Sequence, residues 1–511
     1  MNTWAPIKRE ALLTEHDAQC TDGLNIKAQR CPQYQVLPLK WVFTYKTDQD
    51  GFISRYKARL CVRGDLQAPR KEDTRATTLA ARTLRTMLAI TAAFDLETMQ
   101  MDAVNAFLNS KLTNPIYVNY PQGYGQKGHV LRLHQALYGL RISPILWQQE
   151  ISQKLTYFGL NAVLEDPCLF INNKLALIIF VDDMLIIYHQ THRSEALELK
   201  NKLREAYELK ELGEINKFIG IRIIRDRPNR KLWICQDNYI EKITHRFHLT
   251  SVKPPKTPLP SERLVKRSDG QATQSFMHQY QEKNGSLLWA AIMTRPDIAK
   301  TAQYLSEYLT NPSEHHMTAV DKAIAYLYNT RFYAIEYGPI PSNASAFILA
   351  SDASFADNSD RKSSEGYIAK LFNRPIDWQA RKQKTITTST TEAELLAISS
   401  ASKYMLWWKR LFRSIDLNID QKLTILCDNN QTVDLLTKVN SLFRIKLRYI
   451  NIHYYWLRQE ILAGNLEISW VLTNIMPADG LTKPLLYQKH QLFQKHLNIV
   501  NISQHINYNT H

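Results

Sequence analysis

Short apolar runs of strand length alternate with amphipathic stretches along the whole chain, a pattern that predicts a mixed helix and sheet protein. Residues 36–64 (VLPLKWVFTYKTDQDGFISRYKARLCVRG) hold two strand-like runs around Asp48-Gln49-Asp50-Gly51, which predicts a β-hairpin. Apolar residues at three- and four-residue spacing predict a helix over 76–95. A strand gives way to a helix at 100–107, and a strand over 115–124 ends in a Pro/Gly turn. An amphipathic helix over 145–158 and a charged surface helix over 192–210 flank the segment LALIIFVDDMLIIY, residues 175–188. Its two apolar runs predict a hairpin with Asp182 and Asp183 at the tip.

The Pro-rich segment 253–260 and the polar stretch to Ser286 read as a linker. Two helical patterns over 287–336 surround Thr294-Arg295-Pro296-Asp297 and Asn311-Pro312. A new α/β pattern begins near Ala346, with a strand ending at Ser351-Asp352 and further strands to Trp378. A helix over 390–412, a strand over 423–427, helices over 430–438 and 447–463, and a strand over 466–472 complete it.

A chain of 511 residues is too long for one ordinary core and implies two to four domains. With 44% apolar and 22% charged residues it is globular, without solenoid repeats or low-complexity tracts. The net charge of +16 favours a polyanionic partner, nucleic acid or an anionic membrane. No apolar run is long enough to span a membrane, and MNTWAPIKRE is not a signal peptide. The six cysteines (Cys20, Cys31, Cys61, Cys168, Cys235, Cys427) are scattered, which suits a reducing compartment and argues against a zinc site or disulfide framework. The chain therefore reads as soluble and intracellular. From Arg55 to Arg85 nine Lys/Arg stand against three acids, either a solvated face or a contact for phosphates.

Two neighbouring negative charges among apolar residues repel each other and resist burial unless a cation neutralises them. Asp182-Asp183 is thus either a divalent-metal site or an exposed acidic turn. Asp102, a single acid among apolar residues, is separated from the pair by elements that can fold back on one sheet. The three carboxylates together could hold two Mg²⁺ ions, one lowering the pKa of a primer 3′-hydroxyl and one stabilising the leaving pyrophosphate. Adjacent strand residues face opposite ways, so Asp182 and Asp183 have unequal roles. Downstream, Glu394 shares a helical face with Ala397, Ile398, Ala401, Met405, Trp408 and Phe412, so it is expected to be buried and Glu392 solvated. That stripe holds no Lys or Arg to pair with Glu394; Asp352, Asp428 and Asp479 complete a set of four acids suited to two-metal phosphodiester hydrolysis.

KWVF…DGF…RYKARLCVRG, QMDAVNAFLNS, ALYGLRISP and FVDD, in this order, resemble the reverse transcriptase of copia-type LTR retrotransposons over residues 36–250. SDASFAD, STTEAELLA, CDNNQTV and PADGLTKPL resemble the RNase H domain of the same elements over 346–486. The resemblance implies an α+β and α/β chain: a right-hand polymerase (fingers, palm, thumb), a connection region and an RNase H-like domain. The expected boundaries are 1–250 for fingers and palm, 251–340 for linker and thumb/connection helices, 341–490 for RNase H and 491–511 for a C-terminal tail. It implies metal binding by Asp102 and Asp182 with Asp183 in support, and by Asp352, Glu394, Asp428 and Asp479, with Mg²⁺ or Mn²⁺ as two ions per site. Phe107 matches the aromatic that excludes a ribose 2′-hydroxyl. Tyr138, Gly139 and Arg141 match the segment lining nucleotide and template; Lys57 and Arg59 match the fingers segment that meets the triphosphate.

The implied activity is RNA- and DNA-directed DNA synthesis with RNase H cleavage. The implied partners are an RNA template, DNA primer and product, RNA–DNA hybrid, dNTPs, and the capsid, protease and integrase of a polyprotein, with no membrane. The implied place is the cytoplasm, in a virus-like particle, or the nucleus. Two departures stand out: Phe180 replaces the usual Tyr two residues before the aspartate pair, and Arg448-Tyr449-Ile450-Asn451 replaces Lys-His-Ile-Asp. His453 reads as a packing or surface residue rather than a catalytic helper. The chain starts near the family's polymerase region, which fits either a processed form or a fragment opening on an internal methionine. A degenerate or domesticated remnant that only binds nucleic acid is the alternative, but all seven acids are present. A nuclease alone would need a broken polymerase site, and none is evident.

Overall fold

The computed structural model describes residues 27–29, 35–47, 53–68, 76–121, 129–259, 262–342, 345–419, 423–438 and 448–506. The chain divides into two compact units, one of residues 1–79, 99–162 and 167–213, the other of 80–98, 163–166 and 214–511. Among the described residues no helix is long and apolar enough to cross a membrane.

In the first unit, Leu39–Thr47 and Ile53–Val62 pair as the expected antiparallel hairpin, from Leu39↔Val62 to Thr47↔Ile53. The turn predicted at Asp48–Gly51 lies outside the described residues. Period-two alternation buries Ala58, Leu60 and Val62 and puts Lys57 and Arg59 together on the other face. A four-stranded sheet runs Lys27–Gln29, His129–Gln135, Lys111–Val118, Val36–Leu37.

The main sheet has six strands in the order Leu209–Gly213, Glu97–Ala103, Asp183–Tyr188, Leu175–Phe180, Asp166–Ile171, Asn161–Val163. Helix Ser143–Tyr157 buries Trp147, Ile151 and Leu155, and helix Arg193–Ala206 buries Ala196, Leu199 and Leu203. These three- and four-residue spacings give each helix one apolar stripe, and both stripes join the core of this sheet.

The second unit holds two five-stranded sheets and a helical cluster. One sheet runs Lys217–Phe218, Ile221–Asp226, Lys231–Cys235, Tyr333–Tyr337, Ile499–Asn501. Residues 491–506, expected as a tail, instead finish helix Tyr487–His496 and supply that sheet's edge strand, with Tyr333 opposite Asn501. Helix Gln274–Met293 begins inside the stretch read as linker, because Tyr280, Asn284, Leu287 and Ala291 form a buried face that its polar composition hides. The other sheet runs Arg374–Lys382, Ser364–Leu371, Phe347–Ser354, Leu423–Cys427, Leu466–Trp470, with the first three strands antiparallel and the last two parallel to Phe347–Ser354.

The last two cations of the basic stretch from Arg55 to Arg85 pack against carbonyls and rings, while Arg70, Lys71 and Arg75 lie outside the described residues. Arg85, on helix Ala81–Ala93, is 2% exposed. Its guanidinium donates to the carbonyls of Ile376 (2.7 Å), Ile292 (2.6 Å) and Met293 (3.1 Å) and stacks on Trp378. Arg82 lies 3.9 Å from the Trp407 ring centroid. A guanidinium's fixed fork of donors suits it to binding several carbonyls at once, so these cations serve the core.

The Thr294-Arg295-Pro296-Asp297 motif forms a buried ionic network. Arg295 and Asp297 are both fully buried and joined by two hydrogen bonds of 2.8 Å, and Arg295 also donates to Thr330 O and Oγ1. Tyr326 donates to Asp297 (3.0 Å) and meets His490 (2.9 Å), which ties helix Glu314–Asn329 to helix Tyr487–His496. Burial pushes the Asp297 carboxyl up, but the Arg295 charge outweighs it and holds the group below its ordinary value. Arg295→Met would leave Asp297 buried without its cation. The expected cost is about 3–5 kcal/mol, read as a lower urea midpoint with an unchanged m-value.

Candidate active sites

The first acid cluster sits at the tip of the central hairpin. Strands Leu175–Phe180 and Asp183–Tyr188 pair from Leu175↔Tyr188 to Phe180↔Asp183, so Val181 and Asp182 form a two-residue turn. Val181 has φ of +57°, a conformation that costs a β-branched residue about 1–3 kcal/mol. Two hydrogen bonds hold it there: Trp147 Nε1 donates to Val181 O (2.6 Å), and Ala103 N donates to Asp182 O (2.8 Å). The second bond fastens the tip to strand Glu97–Ala103, which carries Asp102.

Asp102, Asp182 and Asp183 are all half-buried and act on one another. Burial, then Asp182 and Asp102, push the Asp183 carboxyl up to about 6, while a hydrogen bond from Gln100 opposes them. Gln100, two residues before Asp102, was not singled out in the sequence; its signal is the polar residue buried on the same strand. Phe180, the departure from the family's Tyr, keeps its ring on the strand opposite Asp183.

Phe107 is buried and meets the Tyr138 ring edge-on at 4.8 Å, and the Arg59 guanidinium lies 5.5 Å from that ring's centroid. Lys57 is two residues from Arg59 on the same strand face. Arg141 donates to Gly64 O (2.9 Å) and Asp65 O (3.2 Å), pinning the end of the hairpin strand. Gly139 has φ of +91°, and a Cβ there would lie 2.1 Å from Val62 O, so only glycine lets these backbones touch.

The second cluster is built by strand register. Ala350 pairs in parallel with Leu426, so Asp352, inside its strand, and Asp428, just past the end of Leu423–Cys427, each two residues further on, come out side by side. Asp352 is 2% and Glu394 5% exposed, and Glu394 accepts from Ala353 N (3.2 Å). Gly366 lies opposite Asp352, and a Cβ there would fall 2.6 Å from Leu481 Cβ. That gap admits the segment from Asp479 to Lys483: Thr482 Oγ1 donates to Asp352, and Lys483 pairs with Asp479. Burial raises the Asp352 carboxyl to about 6 against the opposing pull of Lys483 and Thr482. Burial, then Asp352 and Asp428, also raise the Glu394 carboxyl.

One expectation needs correction here. Glu392 is not solvated: it is 4% exposed and accepts from Thr388 N (2.7 Å) and Thr388 Oγ1 (2.8 Å). Ser389 accepts from Glu392 N, so Ser389-Thr390-Thr391-Glu392 works as a helix N-terminal cap, a signal present in the sequence. The cation near Glu394 is Lys483, from a distant segment rather than from the helix stripe. Cys427 also belongs to the cluster, since its Sγ and ligand oxygens of Glu394 and Asp428 lie within 4.8 Å of one another. His453, on helix Arg448–Leu462, forms a hydrogen bond through Nδ1 with Ser399 Oγ at 2.6 Å.

Both clusters fit divalent cations, since each gathers carboxylates, and burial with neighbouring negative charge holds Asp183 in the first and Asp352 and Glu394 in the second above their ordinary values. A raised carboxyl penalises the fold when ionised: the penalty is present above the folded value near 6 and vanishes below the unfolded value near 4. Asp183→Asn should therefore stabilise the metal-free protein at pH 7.5 by about 1 kcal/mol, allowing for solvent screening, with no gain near pH 4. Thermal unfolding in EDTA at the two pH values measures this.

A family model described as reverse transcriptase (RNA-dependent DNA polymerase) matches residues 29–261. The Pol polyprotein of transposon TNT 1-94 from Nicotiana tabacum is 32% identical over 89% of this chain and 35% of its own length. That of transposon RE1 from Arabidopsis thaliana is 30% identical over 91% of this chain and 32% of its own length. The chain thus spans about a third of the length of these curated relatives. A foamy viral protease-reverse transcriptase solved in complex with RNA/DNA hybrid aligns over 93% of this chain and 54% of that chain, at 13% identity and a TM-score of 0.46, too distant to fix how the elements correspond. The chain thus carries a reverse transcriptase (RNA-dependent DNA polymerase) region, within a stretch similar to the Pol polyproteins of copia-type transposons.

Proposed function

We propose that the chain is an RNA- and DNA-directed DNA polymerase joined to a ribonuclease H, which copies element RNA into DNA and hydrolyses the RNA of the hybrid. The observation that carries the polymerase reading is the convergence of Asp102, Asp182 and Asp183 at a fastened hairpin tip inside the matched region. Mg²⁺ or Mn²⁺, when bound, would supply Lewis-acid activation of the attacking oxygen and charge stabilisation at phosphorus. Asp102 and Asp182 would hold that cation, and Asp183 would add negative charge beside them. Phe107, backed by Tyr138, gives the sugar a wall that a 2′-hydroxyl would strike. Lys57 and Arg59, on one strand face, are the cations for the triphosphate of a dNTP. Arg141 and Gly139 act indirectly, by fixing the segment that carries Tyr138.

The nuclease reading is carried by the register that sets Asp352 beside Asp428 under Glu394, with Asp479 brought over them. These four acids would hold the cations, which when bound would activate water for attack on the scissile phosphate. The template, primer and hybrid are the partners of the two sites, and the capsid, protease and integrase are those of the whole polyprotein.

The test is Mg²⁺-dependent extension of a DNA primer on poly(rA), with hybrid cleavage followed in the same tube. Asp182→Asn should lower extension roughly a hundredfold or more and spare cleavage, and Glu394→Gln should do the reverse. Extension by Asp182→Asn at the wild-type rate would refute the polymerase assignment, and a remnant that only binds nucleic acid would show neither activity. Phe107→Ala should raise ribonucleotide incorporation roughly tenfold or more, measured as the ratio of rNTP to dNTP use.

A further inference from the structure

Lys483 lies one turn after Asp479, and its ammonium pairs with the Asp479 carboxylate. The intervening Thr482 donates to Asp352, so the segment delivers a hydroxyl and an ammonium into the same group of acids. Gly480 fixes this placement, since a Cβ there would lie 2.4 Å from the Phe493 ring and push the segment away. Among the described residues no other ion pair reaches Asp352, Glu394, Asp428 or Asp479. The Lys483 side chain remains 38% exposed, so its tip can swing into water without opening the core. The field is mutual: Asp352, Asp479 and Asp428 raise the Lys483 ammonium against the effect of its burial.

One ammonium facing four carboxylates leaves the site short of positive charge. It is tethered, so its effective concentration at the acids is high, yet a divalent ion interacts with each carboxylate more strongly. We propose that Lys483 is a resident counter-ion that holds the Asp352–Glu394–Asp428–Asp479 site together until divalent ions displace it, and so sets the Mg²⁺ concentration at which the site loads. The inference rests on reading these four acids as a metal site. Lys483 is a positioning residue in this scheme, acting through the carboxylates.

The full chain is compared with Lys483→Met, which keeps the aliphatic stem and removes the charge, and with Lys483→Arg, which restores a cation. All are made in an Asp182→Asn background so that the first site contributes little. Thermal unfolding is followed in EDTA and across a Mg²⁺ titration, and Mn²⁺ binding is counted by electron paramagnetic resonance. Lys483→Met should unfold several degrees lower in EDTA, regain the wild-type midpoint in Mg²⁺, and load at roughly tenfold lower ion concentration, while Lys483→Arg should stay near wild type. An equal deficit with and without Mg²⁺ would mean packing alone and overturn the proposal, as would unchanged or weaker ion binding. Ion-linked stabilisation without hybrid cleavage by a chain whose only change is Asp182→Asn would sink the nuclease reading and leave the counter-ion role supported.

Discussion

Mutual repulsion among carboxylates is the constraint that both sites must meet. Two acids at a hairpin tip meet a third on the adjacent strand, and four others gather over the central strand of another sheet, each set including a carboxyl raised to about 6. Like charges at short range in a partly dry environment do not gather unless the surrounding fold holds them. The holding forces are ordinary: the Trp147 and Ala103 donors on the strained turn, and the Ala353 and Thr482 donors on the second cluster. Each is modest alone, but each is anchored in a buried strand or helix, so the acids cannot relax apart without disturbing a core.

Close backbone approach is the second requirement, and glycine meets it twice. Gly139 against Val62 joins the basic hairpin to the segment carrying Tyr138 and Arg141, so the aromatic wall and the hairpin cations share one frame. Gly366 beside Asp352 leaves the space that Leu481 fills, which brings Asp479, Thr482 and Lys483 over Asp352. In both places a side chain would collide with fixed backbone or core atoms rather than with a flexible tip.

The buried Arg295–Asp297 pair shows how a polar network can organise helices. Two fully buried charges are costly to desolvate, and the bidentate geometry with Thr330, Tyr326 and His490 satisfies their hydrogen bonds. Arg85 does similar work, its donors spent on three carbonyls. Arg82 and Arg85 therefore serve packing, although the net charge of +16 still suits a polyanionic partner.

What the sequence alone determined is local. The hairpin at 175–188, the helix over 390–412 and the basic hairpin strands were legible because strong period-two or helical patterns were bounded by clear turns. Strands such as Ile221–Asp226 and Lys231–Cys235 passed unread: their pattern is short, and their partners include Tyr333–Tyr337, about a hundred residues away. Which acids meet was suggested by motif order, but the meeting itself depends on register, as Ala350 opposite Leu426 sets Asp352 beside Asp428. Only the tertiary structure decided that Glu392 is a buried cap, that Arg85 serves the core, and that Cys427, Gln100 and Lys483 join the acids. Periodicity reports which face of an element is buried, whereas a side chain's partner is chosen by residues far away in the chain, and no local pattern carries that information.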